Sequence, residues 1–339
     1  MATICDKSIS NARFSSVSCA LSEGKGGALS QHGGGLNDSE VFPDSRDSGS
    51  EYPADPKGQK IRTIGVLCSG GSETVFRHCF YAGIIEGFKS MVERHGFDIF
   101  FLSNQIGKTG FSYRDHLALR KADGVFIVNA DYTAQSVREL LLCRIPKIAI
   151  DYADGSTGCV MTDCDKSMAL LYNYLYDFGH RNIVYMHGEP GYLTDARING
   201  LKSAAMARGA GLPPENFLKS KYYSLEAGYA SMKQAIGRSD LPTAVIASDD
   251  YSAIGAVSAA RDMGLNVPGD VSVAGFDGFE AAQYVSPKLT TIRQDTMGLG
   301  TKAAENLIRQ ILRVGDRGKP ENILLEPKLI IGESCRKIS

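Results

Sequence analysis

Three aspartates and one arginine stand out in this chain for where they sit. Asp277 ends the run Val271-Ser272-Val273-Ala274-Gly275-Phe276, at the carboxyl end of a buried-strand pattern. Ligands bind at that end of the strands in open α/β sheets. Asp151 closes the run Ile145 to Ile150, and Asp249 follows the β-prone Thr243 to Ala247. Arg197 lies in Asp195-Ala196-Arg197-Ile198-Asn199-Gly200-Leu201, which opens a helix. Its planar guanidinium suits bidentate recognition of hydroxyls or carboxylates, and the alternative is an ordinary surface arginine. Carboxylates and a guanidinium at strand ends make a binding site for a small polar molecule. As catalytic acids, Asp151, Asp249 and Asp277 lack company: no nucleophile elbow, metal set or cofactor loop is present, so an enzyme is not expected. His180, at a helix-to-strand turn with no Ser, Cys or second acid beside it, reads as a structural hydrogen bond. The eight cysteines include no CxxC pair or zinc-like cluster, and no metal or cofactor is expected. Cys68 and Cys143 read as small buried hydrophobes.

The elements that must carry these residues alternate. Ile61 to Leu67 is an apolar, β-branched strand, followed by the flexible loop Ser69-Gly70-Gly71-Ser72. That loop fits neither a Rossmann fingerprint nor a P-loop and reads as the first wall of a ligand cleft. Helical spacing follows over Phe80 to His95, with Gly96 as its stop. Strands are expected at 98–102, 123–128, 145–151, 184–186, 243–247, 271–274 and 289–292, and helices at 113–121, 136–142, 167–178 and 298–314. A last strand is expected over Ile323 to Ile331. Such alternation predicts parallel sheets covered on both faces.

Hydrophobic residues are 43%, charged residues 22% and the net charge is −1, as in an ordinary globular protein without a strongly basic surface. No apolar stretch reaches membrane-span length and no secretory signal is visible, so the expectation is no membrane and a cytoplasmic location. Residues 1–60 differ in composition: eight Gly, eleven Ser, and six basic against eight acidic side chains. On composition alone, residues 31–60 are a flexible linker.

The stretch VPGDVSVAGFDGFEAAQYVSPKLTTIRQ, Val267 to Gln294, resembles the effector core of the lactose-repressor/galactose-repressor (LacI/GalR) family of bacterial regulators, whose pattern is VP-D-S-GFD followed by P-LTT. Ile61 to Leu67 resembles that family's RTIGVL strand, Asp123 to Val128 its DGIIV, Ile145 to Asp151 its IP-V-ID, and Gly179 to Ile183 its GHR-I turn. Arg197 matches the family's R-GF element, whose arginine contacts the effector. Tyr223 stands where the family places an aromatic that packs on a sugar or base face; a core tyrosine in a loop is the alternative. Asp249 replaces the usual Asn of ND--A-G, which removes an amide donor and adds charge; Asp250 is then the expected cap of the following helix.

The resemblance implies two Rossmann-like α/β lobes of the periplasmic-binding-protein type I, joined by a three-crossover hinge, with a small N-terminal α segment. The expected lobes are 61–159 with 292–320 and 160–291 with 321–339. The expected effector contacts are Ser69, Ser72, Asp151, Arg197, Tyr223, Asp249, Asp277 and Gln294. Met1 to Asp6 and Ser15 to Ser22 resemble the family's helix-turn-helix headpiece (ATIKDVA and S-TVSRALS), which makes 1–30 a degenerate DNA-binding segment with Thr3, Ser15, Ser16 and Ser18 as contacts. The departures are specific: Cys5 and Cys19 replace basic residues, Gly33-Gly34-Gly35 opposes a third helix, and the hinge helix is missing. The implied function is a homodimeric transcription regulator in which a sugar- or nucleoside-like effector couples lobe closure to operator affinity. The apolar faces of Phe80 to Met91 and Ser252 to Met263 are expected to contribute to the dimer. The alternative is a sugar-binding protein of the same fold that does not bind DNA.

Overall fold

Strand and helix alternate from Arg62 onward, and the alternation builds two sheets. The computed structural model describes residues 61–68, 75, 78–105, 110–312 and 320–338. The first lobe opens with β1 (Arg62–Cys68), α1 (Cys79–Arg94), β2 (Phe97–Phe101), α2 (Tyr113–Leu119), β3 (Gly124–Asn129), α3 (Gln135–Leu142), β4 (Lys147–Ile150) and β5 (Gly158–Thr162). The second holds α4 (Cys164–Asp177), β6 (Ile183–His187), α5 (Tyr192–Ala207), β7 (Phe217–Lys219), α6 (Leu225–Ile236) and β8 (Ala244–Ala247). It continues with α7 (Asp250–Asp262), β9 (Ser272–Asp277) and β10 (Thr290–Arg293). The chain then returns through α8 (Thr296–Leu312) and β11 (Asn322–Leu325) and ends in β12 (Lys328–Ile330).

Among the described residues the strand orders are β11-β5-β4-β3-β1-β2 and β12-β10-β9-β8-β6-β7. Pairing is parallel except between β10 and β12. Helices cover both faces, so the strands bury apolar runs rather than alternating ones: β6 and β8 are buried throughout. In the first lobe one core packs Ile84, Phe88 and Phe126 with Leu307 of α8, and the other packs Leu117, Val125 and Leu140. The second lobe likewise has a core against α6 and α7 and another against α4 and α5.

Three crossings join the lobes, each a few residues beyond its expected place. β5 belongs to the first sheet, so the first crossing is at Asp163 rather than 160. β10 belongs to the second sheet, which moves the next crossing to Gln294-Asp295. The single strand expected over 323–331 is two strands in different sheets, split at Glu326-Pro327. Proline has no N–H to donate, so a continuous ladder breaks there. Asp163 caps α4 and its N–H donates to Leu325 O at 2.9 Å, which ties the first crossing to the third. Lys166 adds an ion pair to Glu326.

The apolar faces of α1 and α7, expected to contribute to a dimer, are in part spent inside the chain, while Met263 stays 41% exposed. Phe80, Ile84 and Phe88 join the first lobe's core, and Ala253, Ala256 and Ala260 the second's. Among the described residues no helix is long and apolar enough to cross a membrane.

Candidate functional site

The carboxyl ends of β4, β8 and β9 bring Asp151, Asp249 and Asp277 to the region between the lobes, and α5 brings Arg197. Asp151, Tyr223 and Asp277 all have positive φ, of 54°, 58° and 106°. A non-glycine residue held there is strained by roughly 1–3 kcal/mol, and such strain collects at ligand sites.

Asp277 is 3% exposed, and its Oδ1 accepts from Gln294 Nε2 at 2.7 Å. The Gln294 N–H also donates to Asp277 O at 3.2 Å, so the second crossing is pinned to the site. Burial raises the Asp277 pKa well above the carboxylate range, with Arg197 opposing. Asp151 is pushed up to about 6 by burial, again against Arg197. Arg197 is itself 3% exposed. Its guanidinium lies 3.7 Å from the centre of the Phe276 ring and donates from Nη1 to Ser248 O at 2.7 Å. Arg197 Nε and Asp277 Oδ2 are buried with no hydrogen-bond partner among the described residues.

Asp249 takes the capping role that the sequence reading gave to Asp250. Asp249, not Asp250, caps α7: its Oδ1 accepts from Ser252 N at 2.9 Å. Its Oδ2 accepts from Ser248 Oγ, Ser252 Oγ and Tyr223 N, each at 2.9 Å. A carboxylate so fully engaged sets the backbone of Tyr223. Asp250 accepts from Thr291 Oγ1 at 2.6 Å and Phe279 N at 2.8 Å, which fixes the loop after Asp277. His180 is fully buried with Nε2 3.0 Å from Arg336 O, a structural bond as expected.

Aromatic rings line both lobes, and most of them carry no motif. Tyr132 stacks on Tyr152 at 3.5 Å, and Tyr192 from the other lobe approaches Tyr152 at 6.4 Å. The Tyr132 hydroxyl is buried and unpartnered among the described residues. Tyr222 shares a 2.9 Å hydrogen bond with Thr194 and lies 5.6 Å from the Arg197 guanidinium. Tyr223 packs against His78, Tyr81 and Phe80 of the first lobe, at 4.0, 5.7 and 6.4 Å between ring centres. Of these only Tyr223 was singled out in the sequence; His78, Phe80 and Tyr81 show there as the dense run HCFY, and Tyr132, Tyr152 and Tyr192 stand singly. Ser69 and Ser72, and Thr3, Ser15, Ser16 and Ser18 of the expected headpiece with the linker after it, lie outside the described residues.

The periplasmic binding protein-like domain family matches residues 172–335. The HTH-type transcriptional repressor PurR of Escherichia fergusonii is 30% identical over 281 residues, which cover 81% of this chain and 80% of that protein. The chain belongs to the LacI family of transcriptional regulators. PurR of Histophilus somni (strain 129Pt) is 29% identical over 265 residues, 76% of this chain and 78% of that one. Among solved structures, a LacI regulator from Bacillus cereus subsp. cytotoxis superposes with a TM-score of 0.74 at 23% identity, over 83% of this chain and all of that one. A LacI family regulator from Enterococcus faecium with bound ribose gives a TM-score of 0.67 at 25% identity, covering 82% of this chain and 100% of that one. The two-lobed, periplasmic-binding-protein type I fold is thus shared with LacI-family regulators. The family works by binding rather than catalysis, in keeping with the absence of a nucleophile motif in this sequence.

Proposed function

We propose that this LacI-family regulator senses a small polyhydroxylated or nucleobase-like effector between its lobes, and that effector binding changes its affinity for operator DNA as a homodimer. The observation that carries the reading is the pair of orphaned buried atoms, Arg197 Nε and Asp277 Oδ2. A buried polar atom without a partner costs roughly 1–3 kcal/mol. A ligand that offers an acceptor to the arginine and a donor to the carboxyl recovers that cost. The same chemistry describes a sugar hydroxyl, which both donates and accepts, and the edge of a purine. The Enterococcus faecium relative holds ribose, which is of the first class. The aromatic walls supply faces for either ring. Asp151, Tyr223 and Gln294 complete the contact set.

The test is a thermal-shift screen of pentoses, hexoses, disaccharides, purines and nucleosides against the full chain. A ligand that prefers the folded state raises its melting temperature by mass action. The expected result is a shift with one class that disappears in both Arg197→Ala and Asp277→Ala. A shift that survives both substitutions would overturn the placement of the site.

A further inference from the structure

His78 is used by nothing proposed so far, and its surroundings are unusual. It precedes α1 on the first lobe and is 5% exposed. Its ring centre lies 4.0 Å from Tyr223, 5.1 Å from Phe279 and 5.3 Å from Tyr251. All three belong to the second lobe. Phe279 in turn is 8% exposed and packs as part of the first lobe's core. Both His78 nitrogens are buried without a hydrogen-bond partner among the described residues. An imidazole placed for packing alone would be replaced at lower cost by a phenyl ring, since two unmet polar atoms are penalised.

We propose that His78 is an interlobe latch: its neutral ring, inserted among Tyr223, Tyr251 and Phe279, holds the two lobes together, and protonation expels it. Among the described residues neither ring nitrogen has a hydrogen-bond acceptor in place. The titratable groups near the ring among the described residues are Tyr81 on its own helix, Tyr223 after β7, Tyr251 on α7 and the Asp249 carboxylate at the cap of α7. Asp249 favours the charged ring but is already committed to its four hydrogen bonds, and burial outweighs it, taking His78 down to about 4. A histidine shifted down supports the latched state fully above its ordinary value near 6.5 and loses that support as pH falls toward 4. With those two values the balance moves toward the open state about 20-fold at pH 5 relative to pH 7.

The chain contains no tryptophan, so Tyr251→Trp, which keeps an aromatic ring in that wall of the aromatic box, makes it a single reporter. In this background, without any ligand, acrylamide quenching is measured at pH 7.5 and pH 5. The parent is expected to be shielded at pH 7.5 and several-fold more quenched at pH 5. His78→Ala is expected to be quenched at both values, and His78→Phe, which fills the box without a proton site, shielded at both. Equal shielding of His78→Ala and the parent at pH 7.5 overturns the latch, as does a pH response in His78→Phe equal to the parent's. Asp151 and Asp250 also titrate in this range but are common to all variants. The latch rests on the effector-site reading only for its consequence, control of effector exchange. Because the test uses no ligand, its failure leaves that reading standing, and a failed ligand screen leaves the latch standing.

Discussion

Two adjacent aspartates, Asp249 and Asp250, are alike in sequence and opposite in role. Asp249 accepts four hydrogen bonds around the α7 cap, while Asp250 is fully buried and lifted to about 7 by that burial. Sequence points to Asp249 for the effector and Asp250 for the cap, yet which of two neighbouring carboxylates caps a helix depends on where the first turn starts, and that start is set by packing. Asp250 has a pKa raised above its unfolded value, so its contribution to stability is full below about 3.9 and is lost as pH rises through about 7. Asp250→Asn should therefore flatten the fall in unfolding free energy between pH 5 and pH 8 by on the order of 2 kcal/mol. Urea unfolding of both proteins at the two pH values checks this; His78 acts in the opposite sense below 6.5 but is shared by parent and variant. Parallel slopes would show that Asp250 is ionised throughout. For Arg197 the sequence leaves open an ordinary surface arginine, and its 3% exposure removes that alternative. Arg197→Ala should lower affinity for the ligand found by screening by roughly 1.5–3 kcal/mol, and Arg197→Lys should recover only part, because an ammonium lacks the planar fork. Calorimetric titration measures both, and full recovery by lysine would make the contact a point charge only.

At the scale of elements, close packing of α6 on α7 holds Tyr223 and Asp249 in register. The approach depends on Gly228 and Gly255: a Cβ on Gly255 would lie 2.1 Å from Leu225 O, and one on Gly228 would lie 2.2 Å from Ser252 O. Gly255→Ala should cost roughly 1–3 kcal/mol through overpacking, whereas Gly211→Ala, where a Cβ meets nothing within 4 Å, should be near neutral. Urea midpoints decide it, and equal midpoints for the two would mean that α6 shifts without cost. Most elements were legible because the alternation of apolar strands and helical spacing is strong, and the stop at Gly96, with φ of 74°, was readable as chemistry. Three elements go unread: β5, which sits at a lobe crossing, β7, which has only three residues, and the twelve-residue α6, whose buried face is built of the small residues Gly228, Ser231 and Ala235 beside Met232 and so lacks a large apolar stripe. The sheet to which β5 and β11 belong is decided by long-range pairing. The break at Pro327 does have a signal in the sequence, the proline itself, set against apolar runs on both sides that read as one strand.

For the whole molecule, what the regulator does depends on assembly and on a segment of distinct composition. Sedimentation at micromolar concentration should give the mass of a dimer; a monomer would count against the regulator reading. Operator binding is the sharper question. Affinity for DNA comes largely from neutralised phosphates, and every phosphate left without a basic partner makes the salt slope shallower by about one. Residues 1–60 carry six basic against eight acidic side chains, and Cys5 and Cys19 stand where basic residues are usual in the family. Gly33-Gly34-Gly35 further opposes a third helix, and the element that fixes half-site spacing in the family is missing from the sequence. The expected outcome is weak, micromolar binding of the full chain to palindromic operator candidates at physiological salt, with a shallow salt dependence. Fluorescence anisotropy of the full chain and of a deletion of residues 1–60 measures it. Nanomolar binding that vanishes on deletion would show that Ser15, Ser16 and Ser18, with the backbone around them, hold DNA well without basic side chains at positions 5 and 19. Equal weak binding with and without the segment would leave the two lobes sensing their ligand on behalf of some partner other than DNA.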